Sequence, residues 1–256
     1  MDNGYERRGV KITLDKIKVF CMPHAGASAS VYYKWEELLN EWKFELIPIE
    51  YQGHGIRADE DFYEDFDSMM EDVYEQVVEK LGESSRYVIF GHSMGSYVAF
   101  KLEVMLEERL NKGAELLIVS GREAPLFWGT YRKISHFDKD EFMKKIIEFG
   151  GIPDEYLSDE AILEYLEPIV HNDFRIIETM NHARKTVKLD TPITVFNGKQ
   201  DICIPERVAC WKNYTKKSCQ IYYFEGGHFY INVHYHDICK YIDENVTINV
   251  IVNNEV

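Results

Sequence analysis

The sequence predicts an α/β protein: a mostly parallel sheet covered by helices on both faces, with a helical lid insertion over one end. Three observations predict it. Short apolar runs alternate with stretches of 3.6-residue apolar period along most of the chain. Residues 91–95 read Gly-His-Ser-Met-Gly between one such run and one such stretch. The alternation stops between about Arg122 and Leu189, where helical patterns continue without a convincing strand. Alternation of this kind implies parallel strands buried on both faces, with the chemistry gathered in loops at their carboxyl ends.

The elements follow in order. Ile17–Phe20 reads as a strand ending at Cys21-Met22-Pro23, Val31–Asn40 as a helix, and Glu45–Ile49 as a second strand. Phe66–Leu81 is helical, with Met69, Met70, Val73, Val77 and Leu81 on one face. Tyr87–Phe90 is the strand before the glycine motif, and Ser96–Leu110 is the helix after it. Leu116–Ser120, Ile193–Asn197 and Ile221–Phe224 are further strands, and Pro205–Tyr214 and Val233–Tyr241 are helices. Inside the break, Asp140–Phe149, Asp159–Val170 and Phe174–His182 carry helical patterns. We read residues 122–189 as a lid inserted into one domain that spans residues 1–256; an ordinary packed helical layer is the other reading. Phe142, Ile146, Phe149, Tyr165 and Phe174 would line a channel beneath the lid or form the lid's own packing.

Composition narrows the function. At 256 residues and 45% hydrophobic, the chain is long and apolar enough for a substantial core. A formal charge of −15 argues against nonspecific nucleic-acid binding and against an anionic membrane surface. The five cysteines form no Cys-x-x-Cys pair, and the first residues lack the apolar core of a signal peptide. No apolar run is long enough to cross a membrane. A cytoplasmic monomer with reduced thiols is the expectation. His24, His54, His92 and His234-x-His236 lack the spacing of a zinc motif, so no metal and no cofactor are expected.

The chemistry centres on Ser93. A Gly-x-Ser-x-Gly segment between strand and helix is what a nucleophile elbow requires, because bulk at either glycine would strike the neighbouring strand or helix. A plain glycine-rich turn is the alternative. A serine hydroxyl needs a base, and the base needs an orienting acid, in the chain order Ser, acid, His. Asp201 follows the strand Ile193–Asn197, and His228 follows the strand Ile221–Phe224. Taken singly, His228 would fit a turn and Asp201 a helix cap before Pro205. Glu123, just past Leu116–Ser120, is the rival acid. An oxyanion needs two backbone donors. Met94, directly after the nucleophile, supplies one, and Ala25 in the loop Pro23-His24-Ala25-Gly26-Ala27 is the candidate for the other; a simple turn is the alternative there.

Together these residues resemble the stand-alone (type II) thioesterases of nonribosomal peptide and polyketide synthesis, members of the α/β-hydrolase superfamily. The matching segments are Phe20–Ala27, Gly53-His54-Gly55-Ile56-Arg57, Gly91–Gly95, Val119-Ser120-Gly121-Arg122, Phe196-Asn197-Gly198 with Asp201, and Gly226-Gly227-His228-Phe229. Ile147–Pro153 also looks like the family's lid. The family often has proline where this chain has Gln52, and a second glycine where it has Ala27. Thr247–Val256 match nothing in the pattern. The resemblance implies an α/β-hydrolase fold and an editing serine thioesterase that hydrolyses acyl or aminoacyl thioesters. The phosphopantetheine arm of an acyl or peptidyl carrier protein enters only as part of the substrate. Because such carriers are commonly acidic, Arg57, Arg122, Arg132 and Lys133 are candidate docking cations. The alternatives are a hydrolase of small esters or acyl-CoA without a carrier, and a non-enzymatic binding module.

Overall fold

The computed structural model describes residues 5–7, 10–12, 16–82, 86–130, 133–152, 156–180, 187–246 and 252–254. Six parallel strands form the main sheet: β3 (Ile17–Met22), β4 (Phe44–Pro48), β5 (Tyr87–His92), β6 (Leu116–Ser120), β7 (Ile193–Gly198) and β8 (Cys219–Phe224). They lie in the order β4-β3-β5-β6-β7-β8. The central strands are buried at every position because helices cover both faces, and their sequences are mostly apolar, with His92, Ser120 and Asn197 at or near their carboxyl ends. After β3 the chain crosses to one edge, and after β5 it crosses toward the other. The crevice at the carboxyl ends of β3 and β5 is therefore a topological switch point, where open α/β sheets place their ligands.

Helices α1 (Phe66–Leu81) and α2 (Met94–Leu110) carry residues of the core on one face of the sheet. That core includes Phe20, Met22, Val73, Val77, Tyr97, Leu102 and Trp211. Helix α6 (Ile231–Asn245) and a 3-10 helix at Ala29–Trp35 close the other face around Trp35, Phe90, Phe196, Ile238 and Ile242. The α-helix expected at Val31–Asn40 is this shorter 3-10 segment. Its buried residues, Ala29, Tyr32 and Trp35, recur every third position, which matches three residues per turn rather than 3.6. The expected helix at Pro205–Tyr214 similarly divides into α5 (Pro205–Val208) and a 3-10 turn at Ala209–Tyr214.

The sequence reading contains no counterpart of β1 (Tyr5–Arg7), β2 (Val10–Ile12) and β9 (Val252–Asn254), which pair antiparallel. In the insertion, α3 (Lys139–Phe149) agrees with expectation, whereas the two later helical patterns form one helix, α4 (Glu160–Thr179), with Pro168 inside it. His182, the expected end of the last pattern, lies outside the described residues. The polar run His171-Asn172-Asp173 reads as a break, but Asn172 and Asp173 are buried and face inward on a continuous helix.

All five cysteines are free, and Cys21, Cys203 and Cys239 are buried. Burial pushes the Cys203 and Cys239 thiols up to about 12 and Cys219 to about 11, and it holds Cys21 well above the usual thiol range.

At the opposite end of the sheet from the loops, Glu103 is buried beneath Tyr87, Ala114 and Thr191. Burial pushes its carboxyl up to about 7, against the hydrogen bonds it accepts from Thr191 and the Ala114 N–H. A carboxyl whose folded pKa is raised adds stability that is complete below its ordinary value and is lost as pH rises through the folded value. Between pH 5 and pH 8 the wild type is expected to lose about 2 kcal/mol more unfolding free energy than Glu103→Gln. Urea unfolding of both proteins at the two pH values measures this; parallel pH dependence would refute it.

Candidate active site

The elbow is built from the steric needs of its neighbours. A Cβ at Gly91 would lie 2.0 Å from the Gly95 carbonyl oxygen, and one at Gly95 would lie 2.0 Å from that of Met22. Glycine at both positions lets β5, α2 and β3 approach this closely. Ser93 itself has φ 55° and ψ −114°, a backbone conformation that a side chain rarely adopts. Such strain costs on the order of 1–3 kcal/mol and persists only where surroundings enforce it. Here the Ser93 N–H donates to the Ser120 carbonyl at 2.9 Å, and the Ser93 carbonyl accepts from the Ser96 N–H at 3.0 Å.

The structure brings Ser93, His228 and Asp201 together. His228 Nε2 lies 2.9 Å from Ser93 Oγ, and His228 Nδ1 lies 3.0 Å from each Asp201 carboxylate oxygen. An ionised carboxylate only accepts, so Nδ1 carries the proton and Nε2 is left to accept from the serine hydroxyl. Burial works to raise the Asp201 carboxyl, but the hydrogen bond and charge of His228, with the Ile202 and Cys203 N–H groups, outweigh it and hold Asp201 below its ordinary value.

Met94 opens α2, so its N–H belongs to the first turn, where helix donors lack intrahelical acceptors. Ala25 sits in the loop after β3, whose Met22 pairs in register with Gly91 of β5. The two expected donors thus lie on adjacent strand ends. His24 Nδ1–H donates to the Ala25 carbonyl at 3.0 Å. Loss of water pushes the His24 imidazole down to about 4, with the nearby His228 charge a smaller contribution. His92 is fully buried between the His24 and His228 rings, and Ser120 Oγ lies 2.9 Å from its Nδ1 and 2.5 Å from the Tyr230 hydroxyl. Burial drives His92 well below the usual imidazole value, so the serine and its base sit beside two neutral rings. Among the described residues, no group of three or more His, Cys, Asp or Glu is placed to hold a metal ion.

A family model described as "Thioesterase domain" matches residues 17–246. The chain belongs to that family. The thioesterase is 31% identical over 233 residues to the thioesterase PikA5 of Streptomyces venezuelae, covering 91% of this chain and 82% of that one. It is 26% identical over 219 residues to the medium-chain S-acyl fatty acid synthase thioesterase of Homo sapiens, covering 84% and 80%. Among solved structures, the type II thioesterase BorB from the borrelidin biosynthetic cluster aligns with a TM-score of 0.82 at 26% identity, over 92% of this chain and 97% of that one. ClbQ from the colibactin NRPS/PKS pathway aligns with a TM-score of 0.85 at 26% identity, over 91% and 97%. The parallel sheet and its covering helices are the α/β-hydrolase fold that the sequence predicts.

Glu123 of the thioesterase stands elsewhere. It is buried, accepts from the Ile204 N–H at 2.9 Å and pairs with Arg207 at 3.3 Å. It supports the loop that carries Asp201 and does not meet the histidine. Of the expected docking cations, Arg57 is bound to Asp72 and Glu60, Lys133 Nζ donates to the Glu178 carbonyl, and the Arg122 guanidinium lies over the Tyr97 ring. Arg132 lies outside the described residues.

The insertion closes on the site from more than one direction. A Cβ at Gly151 would lie 2.7 Å from the Phe229 ring, next to His228, and one at Gly26 would lie 2.4 Å from Val170 of α4. Phe142 and Ile146 belong to a cluster within the insertion, with Phe174 packed against it, while Phe149 and Tyr165 are exposed. Gln52 has a use that proline would not serve: its N–H donates to the Tyr63 hydroxyl at 3.1 Å. Sequence reasoning missed His54 and Asp173 as partners in this region. The available signal was two polar positions falling on the apolar stripe of α4.

No described helix is long and apolar enough to cross a membrane.

Proposed function

We propose that this thioesterase hydrolyses acyl or aminoacyl groups from the phosphopantetheine arm of a carrier protein, in an editing role beside a nonribosomal peptide or polyketide synthase. The observation that carries the reading is the hydrogen-bonded chain from Ser93 through His228 to Asp201 at the start of α2, in a chain whose relatives include the type II thioesterase of the borrelidin cluster. Ser93 Oγ attacks the thioester carbonyl carbon while its proton passes to His228 Nε2. The Met94 and Ala25 N–H groups receive the negative oxygen of the tetrahedral intermediate. The C–S bond then breaks, and His228 returns the proton to the departing pantetheine sulphur. Water repeats the sequence on the acyl-enzyme, losing a proton to His228, and releases the carboxylic acid with Ser93 restored. Asp201 holds the Nδ1–H tautomer and stabilises the imidazolium. The reaction calls for no cofactor of the enzyme's own.

The test is a comparison of one acyl group presented three ways: on a carrier protein, on coenzyme A and as a p-nitrophenyl ester. The reading expects the highest kcat/KM on the carrier. A higher value for the ester or the coenzyme A thioester would replace it with a hydrolase that has no carrier partner.

A further inference from the structure

The oxyanion loop is held from outside the sheet. Gly26 has φ +78°, and its N–H donates to Asp173 Oδ2 at 2.7 Å. Asp173 lies on α4, in the insertion, 147 positions along the chain, and is 1% exposed. The same oxygen is 3.1 Å from His54 Nε2, and His54 is 2% exposed. His54 Nδ1 faces the Gln52 carbonyl at 2.9 Å. Both ring nitrogens therefore face acceptors, and only the protonated ring has two donors to satisfy them. Burial opposes that charge, but the hydrogen bond and charge of Asp173, with smaller help from Gln52 and Glu50, outweigh it and raise His54.

The residues around this pair are fixed on all sides. Glu50, also buried, accepts from the Ala29 N–H at 2.9 Å and lies against Gly55, so the segment after the oxyanion loop and the Gly53-His54-Gly55 turn share one carboxylate. On α4, Arg175 donates to the carbonyls of Tyr63 and Glu64 at 2.6 Å each, and Thr179 Oγ1 accepts from the Phe66 N–H at 3.1 Å. The carboxyl half of α4 is thereby tied to the body, and Ile176 enters the main core. Val170, one turn before Asp173, closes on Gly26.

We infer that Asp173, assisted by His54, is a positioning residue that fixes the Ala25–Gly26 peptide and so sets the direction of the oxyanion loop, making the carboxyl half of α4 part of the reaction apparatus rather than a free cover. The inference rests on the proposed role of the Ala25 N–H. A peptide plane anchored at the Gly26 N–H and by the His24 side chain on the Ala25 carbonyl cannot rotate freely, and the adjoining His24–Ala25 plane is held in turn by the His24 carbonyl, which accepts from the Ala27 N–H at 3.1 Å. Donors to an oxyanion act through orientation set before the reaction, so releasing the loop should slow chemistry more than it weakens substrate binding.

The experiment measures kcat and KM on a small acyl thioester for Asp173→Ala, Asp173→Asn and Ser93→Ala, with thermal unfolding as a check on folding. Asp173→Ala is expected to lower kcat by about 30-fold or more with KM changed less than about threefold, since loss of an oxyanion donor outright costs about 10²–10³. Asp173→Asn keeps an oxygen to accept from Gly26 and is expected to stay within about threefold of wild type. Should the alanine protein fail to fold, Asp173→Ser, which leaves room for a water against Gly26, takes its place with the same expectation. A folded alanine or serine variant with wild-type kcat, a change confined to KM, or an asparagine variant as slow as the alanine one overturns the inference. Activity surviving in Ser93→Ala overturns instead the reading on which the inference rests.

Discussion

Ser93→Ala is expected to lower thioester hydrolysis by about 10⁴-fold or more while leaving the fold and its thermal midpoint close to wild type. In the proposed mechanism the hydroxyl is the group that becomes bonded to the acyl carbon, and it stands 2.9 Å from His228 Nε2. Removing one member of such a triad forfeits nearly all of its combined effect, because the members act as a unit. The same logic fixes the order of two acidic variants. Asp201→Asn keeps the shape but presents an amide where Nδ1–H needs an acceptor, and a loss of about 10⁴-fold in kcat is expected. Glu123→Gln, which touches Ile204 and Arg207 instead, is expected to lose no more than about tenfold, through slackening of the Asp201 loop. Steady-state rates of the three proteins decide it. Equal losses for the two acidic variants would mean that the carboxylate assignments are wrong.

Gly95→Ala is expected to have the second-largest effect, and on folding as well as rate. The new methyl carbon would meet the Met22 carbonyl oxygen at 2.0 Å and the Pro23 carbonyl oxygen at 2.8 Å. Both are backbone atoms, so no side chain can rotate out of the way. Relief requires α2 to move off β3, which separates Met94 from the loop that carries Ala25. Overpacking of this kind costs typically 1–3 kcal/mol, and more where the obstacle is backbone. We expect about 3 kcal/mol lower unfolding free energy in urea, and at least about 100-fold lower kcat in whatever fraction remains folded. Gly82→Ala makes the contrast: nothing lies within 4 Å of its added carbon, so its effect is limited to the backbone strain of φ +56°.

Much of this architecture is legible in the sequence because the signals are local. Residues 66–81 show a helical stripe, and the structure has a helix with those bounds. The elbow is legible because two glycines and a serine fall at fixed spacing within five residues, between a strand pattern and a helix pattern. Asp201 and His228 can be read because each follows an apolar run in the order the fold demands. What was not legible depends on distant partners. The 3-10 geometry of Ala29–Trp35 follows from which of its aromatic residues the sheet accepts, namely Tyr32 and Trp35. The continuity of α4 through Pro168 and the polar triplet at 171–173 is maintained by Gly26, His54 and the loop at Tyr63. Those partners lie more than 100 positions away in the chain. Asp173 looks like a helix breaker in isolation and becomes an anchor only when the oxyanion loop is folded against it.

The buried cysteines have a consequence for a protein whose substrates are sulphur esters. An acyl group can hop from one sulphur to another by transthioesterification, but the attacking sulphur must be a thiolate. Cys203, two positions from Asp201 and 4% exposed, is pushed up to about 12, and burial likewise raises Cys21 in β3 and Cys239 in α6. Near neutral pH these thiols do not compete for the acyl chain. In the proposed mechanism the cargo is handed to oxygen, and from an oxygen ester the path leads onward to water rather than back to one of these buried thiols.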